Sequence, residues 1–143
     1  MKKICIHTAL SIFFVLLLAE GFSQADQGLA DKVTGLYWSP KKDAKIEIYK
    51  KGYLYFGKSV WVATPAKDIK NPEKALQTRE VLGIELLSSF SFKDGIYSGG
   101  TIYDPESGKT YDCKMNLNGN ILKVRGYIGI SLFGRTENFE RIK

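Results

Sequence analysis

The run from Tyr103 to Tyr111, YDPESGKTY, holds the densest set of side chains that could do chemistry: two tyrosines, two carboxylates and a lysine. An Asp-Pro pair followed by a glycine is also typical of a tight turn between two strands. At the mouth of a small barrel, Tyr103, Asp104 and Tyr111 would lie where small ligands enter, so these residues predict a binding site. Asp104 and Glu106 could instead form an acid–base pair, although nothing in their spacing indicates a substrate.

Two arginines further along the chain extend this candidate site. Arg125 and Arg135 lie in apolar, glycine-rich stretches, where an arginine is seldom left without a partner. Each could form a structural ion pair, for example with Glu47, Glu85 or Asp104, or could hold an anionic ligand through a bidentate contact. Both alternatives stay open at the level of sequence. The candidate binding residues are Tyr103, Asp104, Tyr111, Arg125 and Arg135.

The sequence lacks the residues that many catalytic and metal sites need. Its one histidine, His7, lies in the N-terminal leader described below, so a Ser-His-Asp arrangement is excluded from the expected domain. Once Cys5 has left with that leader, Cys113 is the sole cysteine, which excludes an intramolecular disulfide and makes a zinc site unexpected. We therefore expect no metal and no cofactor, and binding rather than catalysis.

The first 24 residues have the pattern of a secretory signal peptide. Two lysines near the start precede the apolar run Ile12–Ala19, and the small or polar residues Gly21–Gln24 follow as a cleavage region. The alternative, a membrane anchor, is disfavoured because the apolar stretch Ile4–Ala19 is shorter than the roughly 20 residues that a spanning helix needs. The sequence predicts a periplasmic or secreted protein with residues 1–24 as signal peptide and 25–143 as a single domain.

The net charge of the chain indicates which class of partner it would attract. The net charge is +6 at pH 7, and it becomes +5 once Lys2, Lys3 and Glu20 leave with the signal peptide. The excess is concentrated between Lys41 and Arg79, which favours contact with an anionic envelope component or, alternatively, only a solvated face that keeps the protein soluble. An exported protein is not expected to meet nucleic acid.

Alternating apolar and polar residues predict an all-β chain of about eight short strands. Asp-Gly at 94–95 and Asn-Gly at 118–119 are strong hairpin signals. The longest connection, Thr64–Glu80, contains a possible helical turn at Pro72–Gln77. Successive hairpins favour a single small antiparallel up-and-down barrel, with a two-sheet β-sandwich as the alternative.

The predicted inward face of this barrel is bulky. A barrel of about eight strands leaves an interior that side chains can fill or that holds one small ligand. We therefore expect a largely filled interior with at most a shallow pocket at one mouth. The predicted inward residues are Leu54, Phe56, Val60, Ile84, Leu86, Phe90, Tyr111, Met115, Leu122 and Val124.

Three segments together resemble a known bacterial family: GGTIYDPESGKTY at 99–111, LKVRGYIG at 122–129 and LFGRT at 132–136. The chain is similar to the domain-of-unknown-function family numbered 2147 from about Val33 to Arg141. The resemblance implies an exported small β-barrel, lipocalin-like in type, and it implies no activity. The family pattern singles out Gly100, Tyr103, Asp104, Pro105, Gly108, Tyr111, Arg125, Gly126, Gly129, Gly134 and Arg135.

One departure from that pattern concerns the first strand. The family opens with Gly-x-Trp, whereas this chain has Gly35-Leu36-Tyr37-Trp38. Either Tyr37 takes the place of the tryptophan, or the strand is shifted by one residue, which would exchange its two faces.

Three functional hypotheses follow. The first is a non-enzymatic module that binds a small ligand or an envelope component near Tyr103, Asp104, Tyr111 and Arg125. The second is a structural or protein-interaction partner in the cell envelope that acts through the basic region Lys41–Arg79. The third, and least supported, is a hydrolase that uses the two carboxylates of the 103–111 run.

Overall fold

The computed structural model describes residues 26–143. Eight antiparallel strands form a closed barrel in which each strand pairs with the next and the last pairs with the first. The predicted up-and-down barrel is therefore confirmed, and the sandwich is not observed. The strands are β1 Gly35–Trp38, β2 Ala44–Lys51, β3 Leu54–Val62, β4 Glu85–Lys93, β5 Ile96–Asp104, β6 Lys109–Asn118, β7 Ile121–Tyr127 and β8 Arg135–Arg141.

Helical structure is minor in the described chain. Residues 26–30 are helical, and short 3-10 helices cover Asp31–Val33, Lys74–Leu76 and Ser131–Phe133. The second of these lies inside the helical turn predicted for Pro72–Gln77. Within residues 26–143, no helix has the length and hydropathy needed to cross a membrane. The predicted signal peptide, residues 1–24, lies outside the described residues.

The two ends of the barrel differ because successive strands run in opposite directions and their connections alternate between the ends. One end, called here the turn end, has two-residue turns at 52–53, 94–95 and 119–120. Asp94 and Gly95 both have positive φ, at 50° and 81°, as the hairpin signal predicts. The other end, called the loop end, carries the connections 39–43, 63–84, 105–108 and 128–134.

Bulky side chains occupy the barrel interior, as the sequence predicts. Phe90, Met115, Leu122 and Val124 are buried as expected, and Ile84 is 5% exposed. Buried tyrosines from three strands add to this core, and two of their rings meet edge to face at 5.3 Å. The largest fully buried side chains are Tyr37, Tyr55, Tyr97, Phe90, Ile46, Ile48, Leu87, Met115 and Leu122.

The predicted face of β3 is wrong. Tyr55, rather than Leu54 or Phe56, is buried, and Val60 is exposed. The inward row runs through Gly57, where a Cβ atom would lie 2.9 Å from side-chain carbons of both Ile48 and Leu87. Because Gly57 has no side chain, residues of the neighbouring strands fill that space. The inward row of β3 is therefore Tyr55, Gly57 and Ser59, which an apolar–polar pattern does not identify as a core face.

A similar shift affects β4. Leu86, also predicted to face inward, is half-buried, and Leu87 is buried instead. Ser89 interrupts the alternation with a φ of 63°, so Leu87 and Phe90 share the inner face although they are three residues apart. A backbone irregularity of this kind is not visible in an apolar–polar pattern.

The first strand directs Tyr37, rather than Trp38, into the core. Tyr37 is fully buried, and its hydroxyl donates a hydrogen bond of 2.8 Å to the Val33 carbonyl. The guanidinium of Arg141 lies 4.7 Å from the Tyr37 ring centre and also donates to the Tyr37 hydroxyl. Trp38 faces the other way and meets Trp61 edge to face at 5.7 Å.

Candidate functional site

A buried carboxylate organises the longest connection at the loop end, residues 63–84. Asp68 has no exposed surface. It accepts a hydrogen bond of 2.5 Å from the Tyr103 hydroxyl and one of 2.8 Å from Asn71 Nδ2. Arg79 contacts the same carboxylate through Nε at 3.0 Å and Nη2 at 2.9 Å. We call Asp68, Asn71, Arg79 and Tyr103 the Asp68 cluster.

The cluster holds Asp68 in its charged form. Burial by itself would raise the pKa of this carboxyl, but the hydrogen bonds from Tyr103, Asn71 and Arg79 together outweigh burial and lower the pKa below 3.8. Burial and the bond to Asp68 raise the pKa of Tyr103, so its hydroxyl stays a donor at neutral pH. A fully hydrogen-bonded buried carboxylate of this kind is a structural anchor rather than a free acid or base.

The backbone around the cluster is tied down as well. The Asp68 amide donates to the Arg79 carbonyl at 3.0 Å, and the Asn71 amide donates to the Asp68 carbonyl at 3.0 Å. Asn71 Oδ1 accepts from the Glu73 amide at 2.9 Å, and the Asn71 carbonyl accepts from Gln77 Nε2 at 2.8 Å. The long connection is therefore a fixed structure that Tyr103 joins to β5.

Asp104, one of the predicted binding residues, caps its own turn. Its Oδ1 accepts from the Glu106 amide at 2.9 Å, and its Oδ2 accepts from Ser107 Oγ at 2.6 Å. Glu106 pairs with Lys41 at 3.0 Å on the protein surface. Since Asp104 is engaged within its turn and Glu106 is paired with Lys41, the arrangement does not support the acid–base pair.

Arg125 holds the connection between β7 and β8. Its Nε donates to the Ser131 carbonyl at 2.7 Å, and its Nη2 donates to the Leu132 carbonyl at 3.1 Å. Its Nη1 donates to Thr136 Oγ1 at 2.8 Å. All three guanidinium nitrogens thus have partners, and these are carbonyls and a hydroxyl rather than the carboxylates considered from sequence.

The remaining predicted residues, Tyr111 and Arg135, also lie at the loop end of the barrel. Arg135 is paired with Glu137 at 2.6 Å and its side chain is 85% exposed. Tyr111 is half-buried and pairs with Ile102. Strand alternation assigns Asp104, Tyr111 and Arg135 to the inward row and Tyr103 and Arg125 to the outward row. The structure thus brings all five to the loop end but divides them between two faces, and a shared binding role stays a prediction.

Cys113 offers no reactive thiol. Its side chain is buried among the core residues of β6. Burial raises the pKa of the Cys113 thiol to about 12, so the thiol is protonated at neutral pH and is a poor nucleophile. Among residues 26–143, no group of three or more His, Cys, Asp and Glu side chains is placed to hold a metal ion.

Half of the ten cations in the basic region Lys41–Arg79 form ion pairs with carboxylates of the same chain. Lys42 contacts Glu140 at 3.1 Å, Lys58 contacts Glu47 at 3.1 Å, and Lys67 contacts Glu80. Lys41 and Arg79 have the acidic partners described above. Lys45 packs over the rings of Trp38 and Trp61, with its ammonium 4.8 Å and 5.4 Å from their centres. The region presents fewer unpaired cations than its sequence indicates.

Sequence reasoning did not include three members of the Asp68 cluster, namely Asp68, Asn71 and Arg79. One signal for Asn71 was present: asparagine before proline is typical of a turn in which the asparagine side chain accepts a backbone bond two residues on. Nothing local marks Asp68 as buried, because its partner Tyr103 is 35 residues away in sequence.

A second feature that sequence reasoning did not include is the exposed segment 128–133, called here the apolar loop. Four of its side chains, Ile128, Ile130, Leu132 and Phe133, are 57–80% exposed. The signal was the apolar composition of IGISLF between two strands, where connections are usually polar.

Comparison with known proteins agrees with the geometry. The closed eight-stranded meander is a lipocalin-like barrel. It is similar to a solved structure described as protein HP1028 from the human pathogen Helicobacter pylori, which belongs to the lipocalin family. The TM-score is 0.71 at 22% sequence identity, over 78% of this chain and 83% of that one.

Sequence comparison specifies the group further. The chain belongs to the family described as "Uncharacterized protein conserved in bacteria (DUF2147)", whose model matches residues 35–141. The resemblance read from the sequence is thus confirmed. No curated protein matches the chain.

Proposed function

We propose that the protein is an exported, non-enzymatic binding module that takes up a small ligand or an envelope component at the loop end of its barrel. The observation that carries this proposal is the asymmetry of the two ends. Two-residue turns connect the strands at the turn end, whereas the four longer connections gather at the loop end. Small barrels bind ligands at such a mouth.

The state of the polar groups favours binding over catalysis. The Asp68 carboxylate is buried and fully hydrogen-bonded, Asp104 caps a turn, and the Cys113 thiol is buried. A general acid or base must reach the proton that it transfers, and these groups are engaged in holding the fold.

Three of the predicted residues are the best candidates for ligand contact. Tyr111, Asp104 and Arg135 belong to the inward row at the loop end, and Arg135 has an exposed guanidinium. An entering anionic or polar molecule would meet Arg135 first and the half-buried ring of Tyr111 next. Tyr103 and Arg125 would contribute indirectly, by holding the connections 63–84 and 128–134 in place.

The alternative function, a structural partner that docks through the basic region, has less support. Five cations between Lys41 and Arg79 are engaged with carboxylates of the same chain. Apart from the pair of Arg79 with buried Asp68, these pairs are exposed and contribute little energy, but they reduce the net field that an acidic partner would meet.

Native mass spectrometry of the protein recovered from the envelope fraction of its own host tests the proposal. A chain whose mass corresponds to a start near Ala25 would support export, and a chain that retains residues 1–24 would contradict it. We expect a small molecule to co-purify with the protein. The Arg135→Ala and Tyr111→Ser variants should release it.

The matched controls are Lys93→Ala and Tyr53→Ser at the turn end, which remove the same kinds of side chain and should retain the molecule. Tyr53 is 79% exposed, so its replacement does not disturb the core. A wild-type protein that carries no ligand, or equal loss of the ligand in all four variants, would contradict ligand binding at the loop end.

A further inference from the structure

The apolar loop exposes large hydrophobic side chains in a segment that hydrogen bonds from Arg125 and Lys114 tie to the barrel. Ile128 and Leu132 are 76% and 75% exposed, and Phe133 is 80% exposed. A single exposed apolar residue needs no explanation, but a contiguous exposed group marks an interaction surface. Together with Ile130, these side chains lie within six consecutive residues of one short connection.

Hydrogen bonds hold the second half of this loop in place. Arg125 binds the carbonyls of Ser131 and Leu132. Lys114 Nζ donates to Ser131 Oγ at 3.1 Å, and the Gly134 amide donates to the Ser131 carbonyl at 3.2 Å. A rearrangement that buried Leu132 and Phe133 by moving this backbone would therefore break several hydrogen bonds.

The outer surface beside the loop is positively charged. A depression of about 130 Å³ lies on the outside of strands β6–β8, with Lys114, Lys123 and Arg125 on its wall. No carboxylate belongs to that wall among the described residues. On the outward rows of β6 and β7, Asp112 is the one carboxylate beside Lys114, Lys123 and Arg125, so cations exceed carboxylates in this area.

The cations continue away from the apolar loop along the strands. Lys123 lies two residues further down β7 than Arg125, which corresponds to about 7 Å along a strand. The polar layer of a bilayer adds about 5 to 8 Å on each side of its hydrocarbon core. The apolar loop comes first and the cations follow a few ångströms further along the strands. This is the same order as acyl chains and headgroup phosphates in a bilayer.

We propose that the apolar loop inserts into the surface of an anionic lipid bilayer, with headgroup phosphates meeting Lys114, Lys123 and Arg125. A stable protein interface takes about 800 Å² and roughly 20 to 30 residues from each partner, whereas this loop offers four large side chains. A bilayer requires no matching shape, and apolar insertion combined with basic residues is sufficient for reversible binding. This inference goes beyond the proposed function, since it needs no ligand at the barrel mouth.

Sedimentation with lipid vesicles tests the inference. The processed protein recovered from its host is mixed with vesicles of phosphatidylcholine alone or with phosphatidylglycerol added. We expect binding to the anionic vesicles that weakens with salt. The double variant Leu132→Ser, Phe133→Ser should bind at least about tenfold more weakly, because two large side chains lose their apolar surroundings.

Two further variants separate the contributions. Lys123→Gln should weaken binding to anionic vesicles about fivefold and leave binding to neutral vesicles unchanged, as expected for one basic residue at the headgroups. Tyr53→Ser removes an aromatic ring of matching exposure at the turn end and should have no effect. Phe133→Trp retains the apolar bulk, and its added fluorescence should be quenched by bromine-labelled lipid.

Several results would overturn the inference. These are no binding to anionic vesicles, equal loss of binding in Tyr53→Ser, or no quenching of the Phe133→Trp signal. A concentration-dependent dimer that the double variant abolishes would assign the loop to a second copy of the chain instead. None of these results bears on ligand uptake, which the co-purification experiment tests separately.

Discussion

Two connections at the loop end of the barrel differ in which side chains they bury and which they expose. The connection 63–84 is rich in polar and charged residues, and it turns a carboxylate inward onto Tyr103, Asn71 and Arg79. The apolar loop is poor in such residues and turns its hydrophobic side chains outward. One arginine anchors each, Arg79 through a carboxylate and Arg125 through carbonyls. The polar connection 63–84 therefore uses its charged side chains to hold the fold, whereas the apolar loop leaves its side chains exposed.

The largest effect on stability is expected from breaking the first anchor. Asp68→Ala leaves Arg79 and the Tyr103 hydroxyl without their buried acceptor. We expect the free energy of unfolding to fall by about 3 kcal/mol, as is usual when one partner of a buried charged pair is removed. Urea denaturation of both proteins measures this difference. A loss below about 1 kcal/mol would mean that the cluster is dispensable.

A smaller and more local effect is expected from the second anchor. Arg125→Ala removes three hydrogen bonds to the β7–β8 connection. We expect a loss of about 1–2 kcal/mol and faster hydrogen exchange of the Phe133 and Gly134 amides. Arg125→Lys should not restore protection, because an ammonium cannot reproduce the planar fork. Arg135→Ala serves as the control and should leave exchange of these amides unchanged.

Acid should weaken the first anchor and spare the second. The pKa of Asp68 is lower in the folded protein than its ordinary 3.8. Its stabilising contribution is therefore complete above about pH 4 and is lost as the pH falls through the folded-state pKa. The difference in the free energy of unfolding between wild type and Asp68→Asn should become smaller as the pH falls from 7 to 2. A constant difference down to pH 2 would contradict this assignment.

The smallest effect on stability is expected at the apolar loop itself. Phe133→Ser removes a side chain that is 80% exposed, so the free energy of unfolding should change by less than about 0.5 kcal/mol. Thermal unfolding monitored by circular dichroism measures this. A clear destabilisation would show that the ring packs in solution, and the contrast between the two connections would then disappear.

The fold could be predicted from sequence because its signals are local. Alternating residues marked the strands, and the Asp-Gly and Asn-Gly pairs marked two turns of the meander. The face of β3 could not be predicted in this way. Its inward row contains Gly57, which has no side chain, and the side chains of Ile48 and Leu87 fill the space beside it.

The candidate site was less predictable, for a related reason. Arg125 was expected to have a partner, and it has several. Two of them are backbone carbonyls, such as that of Ser131, and a sequence does not show which carbonyl an arginine will bind. Asp68 lies in a lysine-rich stretch that reads as solvated surface. Its hydrogen bond from Tyr103, on a distant strand, links this carboxylate to the barrel, and such a contact leaves no local signal in the sequence.

The contact between Tyr37 and Arg141 also bears on how the barrel assembles. These residues are 104 positions apart, and they lie where β1 meets β8. Neighbouring hairpins can form early because each closes a short loop, whereas this seam requires the ends of nearly the whole barrel to meet. We therefore expect ring closure to be a late step of folding. Until it occurs, β1 and β8 are open edges, and the chain is at its most vulnerable to pairing with another copy of itself.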